Sequence, residues 1–488
     1  MKKYITSILA LAVLSCFPAC TEDFDVLNTN PNAPTNVSTP LMLPKVQQDL
    51  VNTVVGESWG IGNIVIQHTS KNQFVNEDRY LWGELNSIWN MTYANARHIR
   101  NIVNQSEALG QNNYLGIALV LKSWMFSLCT DAYGDIPYAD ATKARDGINQ
   151  PKYDTQESVY QGILADLSKA NSILGTSGEV VAGDLIFGGD VMKWKKLANS
   201  LRIRALMRIS AKRNVSADLK AILDNPAQNP IMAGNTDNAT YRYLAASPDQ
   251  FPLFTTRIGS FNEFRASKTL LDMLVALGDK RLEIFFRPTP ATESASTPVY
   301  AGLPNGLSDV DALTFNGGPQ NQSRVGSLFY ENAVSPQGLN TARGVIMTFA
   351  ELSFLLAEAA EKGLVSGSAE TFYLNGIKAS MQYYGLTATD AYLAQANVAY
   401  TGTQQQKLVK IGTQKWIGLF YMGLEAWFDW RRTGIPALKA GPSNQNSDRI
   451  PVRFIYPISE QALNSASYQA AVQRQGADNI NTRMWIIK

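Results

Sequence analysis

Carboxylates are the first side chains in this 488-residue chain whose spacing could do chemistry. Glu351 and Glu358, Glu358 and Glu361, and Glu425 and Asp429 recur at helical intervals, so each pair shares a helix face. A glycosidase instead sets two carboxylates across a cleft, about 5 to 9 Å apart and usually on different elements. Helical neighbours normally pair with basic groups, and Arg431 and Arg432 stand beside Asp429 and Glu425 as partners. The acids that could face each other from separate loops are Asp309 or Asp311 with Glu331. A cleft joining them would mark a surface glycoside hydrolase on a helical scaffold, and their scatter over exposed loops would count against it. His68 and His98 are the only histidines, and neither lies in a His-x-x-x-His or Glu-x-x-His pair, which argues against zinc-protease and di-iron sites. The sequence has no Gly-x-Ser-x-Gly elbow, no phosphate-cradling Gly-x-x-x-x-Gly-Lys, no Gly-x-Gly-x-x-Gly and no ordered acidic calcium loop. No cofactor or metal is expected, and no catalytic motif stands out.

Aromatic side chains are the better candidates. The chain carries 9 Trp, 20 Tyr and 19 Phe, more than enough for a core and a binding surface. The stripe of Trp416, Phe420, Trp427 and Trp430 has helical spacing and reads as core. Phe74, Tyr80 and Trp82 fall in a polar segment, 71–82, that reads as an exposed loop, and Tyr300, Phe329 and Tyr330 fall in another. Loop aromatics have less packing reason to exist, and the apolar faces of sugars stack on such rings. These six are the candidate ligand-binding residues.

Lys plus Arg number 43 against 41 for Asp plus Glu, with no long basic run, so no nucleic-acid partner is indicated. Of only 3 cysteines, two fall in the first twenty residues, which excludes a disulfide framework and a zinc knuckle. Met1-Lys-Lys opens a basic start, and residues 5–14 form an apolar run too short to span a bilayer but suited to a secretory signal. Cys16 and Cys20 then compete as the lipidated residue of a bacterial lipoprotein. Cys16 follows the more regular tripeptide Val13-Leu14-Ser15, while Cys20 has Ala19 before it and Glu22 and Asp23 after it, which favours Cys20. The alternative is an ordinary cleaved signal with incidental cysteines.

The elements that must position these groups are mostly helical. Over 83–140 two amphipathic segments separated by Gly110-Gln-Asn-Asn113 predict an antiparallel helix pair of the tetratricopeptide kind, ended by Gly134 and Pro137. Further helices are predicted over 43–55, 155–174 (capped by Thr155), 193–210, 268–277, 345–362, 370–384 and 405–432, the last stopped by Gly434. Lys and Arg residues leave 193–210 at helical intervals, the pattern of a solvated face. Residues 225–340 are dense in Pro, Gly, Asn, Ser and Thr, a loop-rich region where function is expected. No long helix is expected after about 463.

Taken together, the blocks resemble the SusD/RagB family of Bacteroidetes outer-membrane lipoproteins. The resemblance rests on Cys20-Thr-Glu-Asp-Phe with Asn28-Thr-Asn-Pro-Asn, on Thr130-Asp-Ala-Tyr-Gly-Asp-Ile-Pro-Tyr, and on Phe187-Gly-Gly-Asp with Lys193-Trp-Lys-Lys-Leu-Ala-Asn-Ser-Leu-Arg. Three further blocks carry it: Thr348-Phe-Ala-Glu-Leu-Ser-Phe-Leu-Leu-Ala-Glu-Ala, Gln414-Lys-Trp-Ile-Gly-Leu-Phe with Trp427-Phe-Asp-Trp-Arg-Arg-Thr-Gly, and Asp478-Asn-Ile-Asn-Thr. It implies a mostly α fold of tetratricopeptide-like helix pairs forming a superhelical scaffold with a loop-rich ligand-binding part packed on it. It divides the chain into a signal peptide at 1–19, a lipidated tether at 20–40 and a single body at 41–488, scaffold about 41–224 and 345–435, loop-rich part about 225–344 and 436–488. It further implies capture of oligosaccharide, or in some relatives peptide, at the cell surface, and delivery to a SusC-like TonB-dependent β-barrel transporter. The family's ligand loops share no motif, so no binding residue carries over by position.

Overall fold

The structure, a computed structural model, describes residues 37–244, 249–253, 260–329 and 343–488. The first helix, α1 (Thr39–Glu57), starts four residues before the expected 43; Pro40 sits in its first turn, where no N–H partner is needed. A π-turn at Ser58–Gly62 and Asn63–Val65 carry it onward to β1 (Thr69–Lys71). The predicted helix pair forms as α2 (Ser87–Leu109) and α3 (Asn112–Tyr133), with Gly110 at φ 68° making the left-handed C-terminal cap. Helix α4 (Gln156–Ile173) is capped by Thr155, whose hydroxyl accepts from Ser158 N, and α5 (Val191–Ile209) by Asp190, which accepts from Lys193 N. Helix α6 (Ser216–Leu223) follows, then β2 (Ala239–Arg242), β3 (Phe264–Ala266), α7 (Lys268–Leu277) and β4 (Arg343–Met347). The C-terminal part holds α8 (Phe349–Glu361), α9 (Ala369–Tyr383), α10 (Gln404–Gly418), α11 (Glu425–Thr433) and α12 (Ser465–Gln475). The strands make two antiparallel pairs, β1 with β3 and β2 with β4.

The long helices stack in order, α1 on α2, α2 on α3, α3 on α4, α4 on α5, α5 on α8, and α8 on both α9 and α10, giving the tetratricopeptide-like scaffold. Helix α3 is long and apolar enough to cross a membrane, yet it is buried almost all round by its neighbours, so it is a core helix. The third cysteine, Cys129, is a buried free thiol within it.

Four expectations are corrected. The segment 345–362 opens as strand: Val345 and Met347 pair with Thr240 and Ala239 of β2 around a bulge at Ile346, and the helix starts only after Thr348 accepts from Glu351 N. The helix predicted over 405–432 breaks at 419–424, where Tyr421 and Gly423 take φ of 64° and 67°. There Gly423 N donates to Ser58 Oγ at 2.6 Å, and the chain passes Gly62 so closely that a Cβ on Gly62 would lie 2.3 Å from Gly423 O. Tertiary docking on the end of α1 thus overrides helix continuity. Helix α12 exists although little of it is apolar; Gln475 anchors it to the end of α3 by donating to Tyr133 O and accepting from Asp135 N at 2.9 Å. Finally, the basic residues of α5 do not all face solvent. Arg204 and Arg208 are buried: Arg204 makes two 2.6 Å bonds to Glu351, and Arg208 pairs with Glu425 and, at 3.3 Å, Asp131.

Candidate ligand-binding surface

Immediately after β1 the chain turns through a loop in which Phe74 and Tyr80 both hold positive φ, 51° and 62°, a strained choice for aromatic residues. A buried polar knot holds it. Asp78 Oδ2 accepts from Ser70 Oγ at 2.7 Å and from Lys71 N, while Asp78 Oδ1 accepts from Asn305 Nδ2 at 2.7 Å. The same Asn305 amide donates to Thr69 O, and its oxygen accepts from Ser267 Oγ at 2.6 Å. Burial pushes the Asp78 carboxyl up to about 6 against these hydrogen bonds, which stabilise its charge. The knot ties three segments together: the 72–82 loop, the turn at 303–307 and the start of α7.

This geometry sorts the predicted aromatics. Phe74 stands 67% exposed, while Val75 beside it is buried with Leu303 and Ala312. Tyr80 is turned inward and only 2% exposed, which corrects the reading of the whole loop as exposed. Trp82 is half-buried, edge-on to Trp427 and Phe454, with its indole donating to Glu77 O. Phe329 has a packing role too: it is 3% exposed and stacks on Tyr421 at 4.6 Å. Tyr300 is half-buried; burial first, then Glu283 and Glu293, raise its phenol pKa. Tyr330, Glu331 and Cys20 lie outside the described residues. Of the five described aromatic candidates, Phe74 is exposed, Trp82 and Tyr300 are half-buried against the core, and Tyr80 and Phe329 are buried.

Near the knot a cleft of about 480 Å³ opens, lined by Gln67, Lys268, Asp272, Asn305 and Lys439. Sequence reasoning missed these residues because they come from four separate stretches with no common period. The available signal was the pair of breakers at Gly306 and Gly441: the two loops approach so closely that a Cβ on Gly441 would lie 1.8 Å from Asn305 O. Gln67, at φ 58°, fixes one wall by donating to Lys439 O and accepting from Thr269 Oγ1 at 2.8 Å.

The acids have other work. Asp309 and Asp311 open a short helix, Asp309–Thr314; Asp309 accepts from Val75 N, and Asp311 exchanges hydrogen bonds with Ser308. Glu358 takes two bonds from Arg432, at 2.5 and 2.6 Å, and also pairs with Lys415 and Lys362, while Asp429 pairs with Lys415 at 2.8 Å and with Arg432. The expected partner for Asp429 is therefore present in Arg432, but Glu425 pairs with Arg208 instead of Arg431 or Arg432. His68 is buried against Trp416 and Phe420, and burial lowers its pKa to about 3, so the ring is neutral. Among the described residues no group of three or more His, Cys, Asp or Glu is placed to hold a metal ion.

Comparison with known proteins decides the family. Residues 31–457 match the SusD-like family described as starch-binding and associating with the outer membrane. The chain belongs to the SusD-like family. No curated protein matches it. Solved structures do: a SusD homologue from Bacteroides fragilis is 26% identical, with a TM-score of 0.79 over 93% of this chain and 100% of that one. A chitin-binding protein is 28% identical, with a TM-score of 0.78 over 92% and 100%. A chitin-binding SusD homologue from Flavobacterium johnsoniae, 24% identical with a TM-score of 0.77 over 92% and 97%, shares the fold. The mostly helical, tetratricopeptide-like architecture is that of SusD-like proteins.

Proposed function

We propose that this SusD-like protein captures oligosaccharide at the cell surface and delivers it, uncleaved, to a SusC-like TonB-dependent β-barrel transporter, held to the outer membrane by lipid on Cys20. The observation that carries the reading is Phe74: an aromatic ring left 67% exposed on a loop whose strained backbone is braced by a buried carboxylate–amide knot. A rigid exposed ring suits the apolar face of a sugar, and the side chains of Lys268, Asp272 and Lys439 in the nearby cleft offer hydrogen bonds to hydroxyls. Tyr300 is the second stacking candidate. The family description and the chitin-binding relative favour a glycan over a peptide. The division into signal peptide 1–19, tether 20–40 and body 41–488 belongs to the same proposal, as does the absence of catalysis, which the structural engagement of Asp309 and Asp311 supports.

The test is uptake by whole cells of fluorescent malto- and chitooligosaccharides, comparing wild type with Cys20→Ser and Phe74→Ala, together with co-purification of a β-barrel partner. The proposal expects both substitutions to lower uptake, and only Cys20→Ser to release the protein from the membrane. Uptake unchanged by either, or no barrel partner, would count against it.

A further inference from the structure

Helix α7 has two working sides. Lys268, Thr269 and Asp272 face the cleft described above, and Met273, Ala276 and Leu277 face a second, larger one of about 610 Å³, closed on its other side by α10 and the 396–402 turn. A volume of that size suits a small-molecule ligand.

Its lining is specific in kind. Met273, Ala276 and Val409 give an apolar strip, with Val409 42% exposed. Around it stand Asn397, Gln405 and Thr413, whose side chains make no hydrogen bond among the described residues. No carboxylate lines the cleft, and its one cation is spent: Lys410 Nζ donates to Ala396 O, Ala399 O and Thr401 O at 2.9, 2.7 and 3.1 Å, using all three ammonium protons. An anion would find no free charge here, and a cation would meet this ammonium. Amide groups and a hydroxyl, each able to donate and accept, beside an apolar strip are complementary to a neutral ring that is hydroxyl-rich on its edge and C–H-rich on its face.

We propose that this cleft between α7 and α10 is a second sugar-binding site, taking an uncharged sugar unit, separate from the Phe74 surface. The inference rests on the glycan-capture reading. Its test is hydrogen exchange of the full chain with and without maltohexaose and chitohexaose, on wild type, Ala276→Trp, which fills the cleft from an exposed position, and the surface pair Asn397→Ala with Gln405→Ala. At about ten times Kd, exchange through openings that release ligand should slow about tenfold over 396–413 and 273–277, and both variants should abolish this while leaving protection of the 72–82 loop. Protection confined to the 72–82 and 299–315 loops would overturn the second site and leave the capture reading standing. Protection nowhere, with either sugar, would overturn both.

Discussion

Asn305 Nδ2 donates to Asp78 Oδ1 at 2.7 Å across 227 residues of sequence, and both residues are buried. This one bond joins the aromatic loop to the wall of the adjoining cleft. Asn305→Ala would leave the Asp78 carboxyl without its amide partner, at a cost of about 1 to 3 kcal/mol. Urea unfolding should show that loss, and glycan affinity should fall with it because the loop carrying Phe74 loses its brace.

Asp78 also sets a pH dependence. Its folded pKa of about 6 lies above the ordinary 3.8, so between those values the folded chain binds more protons than the unfolded chain, and stability from this group falls as pH rises through the window. The full effect is about 3 kcal/mol at most. Asp78→Asn should flatten the decline of unfolding free energy between pH 4 and 6; an unchanged slope would show that Asp78 titrates normally in the folded protein.

Phe74 separates binding from stability. Because the ring is largely exposed, Phe74→Ala should move Tm little, yet it should weaken oligosaccharide binding about tenfold, the value of one lost stacking contact. Tyr80→Ala should do the reverse in the first respect, destabilising the protein by about 3 to 5 kcal/mol through a core cavity.

The scaffold is fastened by ion pairs inside it. Arg204→Ala would strand the Glu351 carboxylate between α5 and α8 and cost about 3 to 5 kcal/mol, whereas Arg204→Met with Glu351→Leu should recover most of that loss. Chemical denaturation of the two variants distinguishes a stranded charge from simple loss of packing.

Much of this was legible before the structure. Helical periodicity and local caps need only neighbouring residues, so α2 to α5, the stop of α2 at Gly110 and the stop of α11 at Gly434 could be read directly. What depended on distant partners could not. The spacing of Arg204 and Arg208 is the same whether they meet water or Glu351 and Glu425 from other helices. Tyr80 looked like a free loop aromatic because the knot that turns it inward is completed by Asn305, and α12 carried too little apolar surface to show a face, being held by Gln475 at the end of α3. The two clefts flanking α7 share this difficulty, since their walls come from elements far apart in sequence whose docking no local pattern shows.

The most direct measurement is isothermal titration of the soluble protein, residues 21–488, with malto- and chitooligosaccharides, followed by product analysis of the same mixtures. The account predicts saturable binding that Phe74→Ala weakens, with every oligosaccharide recovered intact. New chain ends appearing in proportion to protein concentration, or no binding to any glycan, would contradict it.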